Sequence, residues 1–115
     1  MENLILYQKV YDFMIYFFPI IDRFPKYEKF ALQTQIKNSL YRMLKLTIGI
    51  QKSKQKVRLL YEFDQELEFL KTLVAFSNDK KPAYLSAQSR KTASEKLIEI
   101  GKIAGGLIKK FGVQS

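Results

Sequence analysis

At 115 residues with no cysteine and no histidine, the chain can enclose one hydrophobic core, but it lacks the thiolate and imidazole groups that most metal sites and nucleophilic hydrolases need. Its 20 Lys and Arg outnumber 11 Asp and Glu for a net charge of +9, and the excess is concentrated. Residues 26–58 hold nine basic side chains against the single acid Glu28, and residues 80–115 hold eight against Glu95 and Glu99, so two cationic blocks stand ready for a polyanion.

The first helix is expected over residues 3–24. Leu4, Tyr7, Tyr11, Met14 and Phe18 recur at the three-and-four spacing of a helical stripe, and Asn3 is placed to cap it. A second stripe, Val10, Phe13, Phe17, Ile20 and Phe24, gives this helix two apolar sides. A small bundle buries only one, so the surplus points to packing against another subunit. Pro19 is expected to kink the helix or end it early. The most apolar run, Phe13 to Ile21, lies between Asp12 and Asp22 and falls short of the roughly 20 residues of a bilayer span, so no membrane partner is expected. The amino terminus has no basic leader, which makes export unexpected and a cytoplasmic location the default.

The dipeptide Phe24-Pro25 disfavours helical geometry and places a tight connection before a second helix over residues 26–51. Ile36, Leu40, Met43, Thr47 and Ile50 form its inner stripe, with Phe30 beside it. On such a helix Lys26, Lys29, Lys37, Lys45 and Lys52 fall within an arc of about 160° and share a face. The stretch QKSKQK, residues 51–56, has no apolar residue and reads as a loop. A third helix over 57–77 turns Leu60, Phe63, Leu67, Leu70 and Val74 inward and its acids outward. Residues 78–85, with Pro82, form a second loop, and Ser86 caps a fourth helix over 86–111 whose stripe includes Ala93, Leu97, Ile100, Ala104 and Leu107. The fold class is all-α, an antiparallel up-down four-helix bundle in a single domain over 1–115.

There is no glycine-rich phosphate loop. Glu62 and Glu66, Asp64 and Glu68, and Glu95 and Glu99 stand four apart, but the histidines that complete a carboxylate-bridged metal pair in a bundle are missing. No metal, cofactor, small-molecule substrate or catalytic activity is therefore expected. The candidate contacts to nucleic acid or a polymerase are Lys26, Lys29, Lys37, Arg42, Lys45 and Lys52 in the first block, and Lys91, Lys102, Lys109 and Lys110 in the second. With 16 Lys to 4 Arg, they favour phosphate contacts over the bidentate reading of bases. Tyr27 and Tyr84, beside lysines at helix ends, are candidates for base stacking. Gly101 and Gly105 have the spacing that lets another backbone approach closely.

Residues 24–39, FPKYEKFALQTQIKNS, and 99–109, EIGKIAGGLIK, resemble the accessory variability determinant (Avd) family of diversity-generating retroelements, and the helix order fits over almost the whole length. A related group, the four-helix proteins of ribosomal RNA intervening sequences, shares the Phe-Pro opening but carries an Asn-x-x-Glu-Gly element, which residues 44–51, LKLTIGIQ, lack. The resemblance implies a non-catalytic homo-oligomer, a pentamer, that partners the retroelement reverse transcriptase and its template RNA or cDNA during mutagenic copying. The family's Trp after the paired glycines is Leu107 here, so no indole role carries over. The readings that remain beside it are an intervening-sequence-type protein and a basic protein adaptor that binds no nucleic acid.

Overall fold

The computed structural model describes residues 2–112, with the side chains of residues 4–112. Its elements are α1 (Glu2–Ile21), a 3-10 turn (Lys26–Glu28), α2 (Leu32–Lys52), α3 (Lys56–Asp79) and α4 (Ala87–Gly112), with no strand among the described residues. Each helix packs on its sequence neighbour and α4 closes on α1, while the backbones of the diagonal pairs α1/α3 and α2/α4 stand farther apart. The result is an up-down four-helix bundle measuring 48 × 24 × 19 Å.

One stripe from each helix lines the axis. Leu6, Phe13 and Phe17 of α1 meet Ile36, Leu40 and Met43 of α2, Phe63, Leu67 and Leu70 of α3, and Leu97 and Ile100 of α4. The Phe13 and Phe17 rings stack with centroids 5.0 Å apart. Burying each such side chain contributes about 1.5–3 kcal/mol, which makes this axis the main source of stability.

Pro19 stays inside α1, and the helix ends two residues later rather than at residue 24. The missing N–H faces the exposed side, where water can take the carbonyl of Ile15. The chain then tightens: Arg23 and Phe24 donate to carbonyls three residues back, Ile20 at 3.1 Å and Ile21 at 3.0 Å. The apolar character of α1 also extends beyond residues 13–21. Leu4–Ile21 has a mean hydropathy of 1.3 over 18 residues, long and apolar enough by composition alone to cross a membrane. In the bundle its Leu6, Val10, Phe13, Phe17 and Ile21 form one wall of the core. The Asn3 cap lies outside the described side chains.

The second helix departs most from the pattern. Residues 26–28 form a 3-10 turn, and α2 proper begins at Leu32 after Ala31, whose φ of −121° and ψ of −104° are not helical. Within this turn Glu28 is buried and accepts a 2.8 Å hydrogen bond from the Tyr84 hydroxyl.

The connection between α2 and α3 is shorter than expected, residues 53–55, because Lys56 closes it. Its ammonium donates to the carbonyls of Ile50 at 2.5 Å and Gln51 at 3.2 Å, satisfying the open end of α2. Ser86 caps α4 as its position suggests: its hydroxyl accepts the Ser89 N–H at 3.0 Å. The glycines of α4 divide between two roles. A Cβ at Gly101 would meet Leu67 Cδ2 of α3 at 3.4 Å, so this glycine serves packing within the chain, whereas Gly105 and Gly106 face open space.

Candidate nucleic-acid interface

The ten basic candidates do not form one surface. Lys26 and Lys29 belong to the connection before α2, so the five-lysine face expected for a continuous helix is broken. A second loss comes from ion pairing. Lys37 reaches back to Asp22 at 2.6 Å, its ammonium 5.3 Å from the Phe18 ring centroid, and that pair pulls the Asp22 carboxyl below its usual range.

Arg42 is engaged more fully. Its Nε and Nη2 donate to the two oxygens of Glu66 at 2.9 and 3.0 Å, a forked geometry, and the buried Ser39 hydroxyl donates to the same carboxylate at 2.8 Å. Burial pushes the pKa of Glu66 up, but the hydrogen bonds from Arg42 and Ser39 and the Arg42 charge outweigh it, and the net shift is downward. Arg42 is thus a strut between α2 and α3. A carboxylate held below its unfolded pKa stabilises the fold above that value, and the contribution is lost as pH falls through the folded pKa. Urea unfolding should therefore show wild-type stability declining as pH drops below about 4.3, the ordinary Glu value. Glu66→Gln should cost about 1–2 kcal/mol at neutral pH and remove that part of the acid dependence.

What remains are two rows. On α2, Lys45 and Lys52 are exposed, form no ion pair among the described residues, and lie two turns apart within about 20° of each other around the helix. On α4, Lys91, Lys102 and Lys109 are likewise exposed and without an ion pair among the described residues, and steps of 11 and 7 residues place them along one line of the outer surface, again within about 20°. That line is about 27 Å long at 1.5 Å per residue. Lys110 sits to its side, 5.7 Å from the Phe111 centroid. Because α2 and α4 occupy opposite corners, the two rows face away from each other.

The acids of α3 are largely taken up inside the chain. Glu62 pairs with Arg58 at 2.8 Å, Glu66 with Arg42, and Glu68 with Lys71 at 3.4 Å. No cluster of three His, Cys, Asp or Glu that could hold a metal ion occurs among the described residues. Tyr84, a stacking candidate, is partly buried against Phe24, with centroids 5.1 Å apart. Since its single hydroxyl proton goes to Glu28, the 3.1 Å contact with Tyr27 has Tyr27 as donor. Held by Tyr27 and Glu28 and packed on Phe24, Tyr84 is structural rather than a free platform.

Periodicity missed the parts that depend on distant partners. The Arg42–Glu66 fork joins residues 24 apart and Tyr84–Glu28 joins residues 56 apart, separations that no local pattern reports. Lys56 had a legible signal in hindsight, a lysine just past a helix end, where it can reach the last carbonyls.

Fold and surface together define a small helical bundle with opposed basic faces, in which Asp22, Glu62, Glu66, Glu68 and Glu99 are paired within the chain. Residues 4–111 match the family model of bAvd-like proteins, and the chain belongs to that family. No curated protein matches it.

Proposed function

We propose that the chain is a non-catalytic, cytoplasmic accessory protein of a diversity-generating retroelement. It holds template RNA or cDNA, together with the reverse transcriptase, through its basic surfaces. Membership of the bAvd-like family over residues 4–111 supports the retroelement setting. The observation that carries the nucleic-acid part is the line of Lys91, Lys102 and Lys109, three ammonium groups on one helix face with no carboxylate partner among the described residues. Lysines aligned along one helix face in this way suit a phosphate backbone and do not read its sequence.

Association is part of the proposal. Leu4, Tyr11 and Ile15 of α1 and Tyr41 and Ile48 of α2 remain exposed on two helices that pack on each other, an apolar seam that a second copy would cover. Since one chain turns its two lysine rows in opposite directions, only neighbouring chains can place both kinds of row on a common surface. In a homopentamer, repetition converts a weak phosphate-binding face into a strong one through effective concentration.

Gel shifts with RNA, with single-stranded DNA and with the purified polymerase, each at low and moderate salt, test the reading. The expected result is binding to nucleic acid that weakens steeply with salt. Binding to polymerase alone would leave a protein adaptor instead. Light scattering should give a mass of five chains.

A further inference from the structure

The connections between α1 and α2 and between α3 and α4 lie at the same end of the bundle. They are tied together by the chain of hydroxyls from Tyr27 to Tyr84 to Glu28, and by the Tyr84 N–H, which donates to the Ser77 carbonyl at 3.1 Å. On this end three aromatic rings stand out into solvent. Tyr27 is 76 % exposed, Phe30 87 % and Phe76 50 %.

Single exposed apolar residues are ordinary, but the company of these rings is not. The Lys29 ammonium lies 5.5 Å from the Phe30 centroid and the Lys80 ammonium 4.6 Å from that of Phe76. Arg23, Lys26 and Lys81 add cations that form no ion pair among the described residues. The nearby acids scarcely offset them. Asp22 is held by Lys37, and Glu28 is buried against Tyr84, which leaves Asp79 at the end of α3.

We propose that this end of the bundle is a platform for single-stranded nucleic acid, on which Phe30 and Tyr27 stack with unpaired bases while Lys26, Lys29 and Arg23 hold the flanking phosphates. Aromatic rings interleaved with cations are what an unpaired strand needs, because each base offers a π face and each linkage a charge. A duplex hides its base faces and offers only phosphates. The 3-10 turn and the hydroxyl tie hold Tyr27 in place beforehand, so little freedom is lost on binding. The lysines now over Phe30 and Phe76 are on flexible stems and can swing to a phosphate, uncovering the rings. The proposal rests on the nucleic-acid reading above and narrows it to a strand type and a location.

Fluorescence anisotropy on the full chain with labelled oligouridine and a labelled RNA duplex tests it. Tyr27→Ala and Phe30→Ala together should weaken oligouridine binding by at least about fivefold for each ring removed, with duplex binding changed by less than about twofold. Phe30→Tyr should retain binding and Phe30→Leu should not. Circular dichroism should show all three variants folded, since neither ring is buried. Unchanged oligouridine affinity, equal losses on strand and duplex, or a fall in oligomer mass would each overturn the platform. So would loss of polymerase binding in the absence of nucleic acid, because the rings would then serve a protein contact. If the wild type binds neither probe, the broader reading fails; if it binds both and the ring variants match it, only the platform fails.

Discussion

Replacing Lys91, Lys102 and Lys109 by Glu should weaken RNA binding by roughly a hundredfold or more at moderate salt while leaving the bundle folded. The three side chains are exposed and unpaired, so their removal breaks no internal contact. Each reversal removes a phosphate contact and adds a repulsive charge. Losing three contacts should also flatten the plot of log affinity against log salt by about 0.7 per contact on a single strand. The double variant Lys45→Glu, Lys52→Glu, at the opposite corner, should weaken binding less because it reverses fewer charges. Lys37 and Arg42 make poor probes of the same idea: their reversal would break the Asp22 and Glu66 pairs and confound binding with stability. If neither α2 nor α4 variant changes affinity in a salt titration, the lysine rows are ordinary solvated faces.

The second large effect separates the two sides of α1. Phe17→Ala empties a fully buried site stacked on Phe13 and should cost about 3–5 kcal/mol, read from urea unfolding. Ile15→Glu, two residues away, should leave unfolding nearly unchanged for the single chain because Ile15 is 64 % exposed. Its effect should fall on assembly instead, since a carboxylate in a covered apolar seam has no partner. Light scattering should report a lower mass for Ile15→Glu under conditions where the wild type is associated. An unchanged mass would place the subunit contact elsewhere and leave the seam unexplained.

Much of the bundle follows from the order of residues along the chain. The stripes Leu60, Phe63, Leu67, Leu70, Val74 and Ala93, Leu97, Ile100, Ala104, Leu107 lie where their spacing places them, because a continuous helix repeats its facing every 3.6 residues. The Ser86 cap was legible for the same reason, since its bond runs to a residue only three positions on.

The arrangement of charge was not legible in this way. Phe30 reads as a neighbour of the inner stripe if the helix starts at Lys26, yet it stands almost wholly in solvent, in the connection ahead of α2, which begins only at Leu32. A periodic argument survives only as long as the helix is unbroken. Which lysines are available to a ligand depended on carboxylates far away in sequence, and composition counts Lys37 and Lys45 alike although one is paired and the other is not.

Local chemistry in the chain thus set the number of helices, their inward faces and the surplus of positive charge, since each depends on near neighbours. The division of that charge into two outward rows on opposite corners, and the gathering of Tyr27, Phe30 and Phe76 at one end, came from packing, which alone brings distant residues together and decides which of them water still reaches.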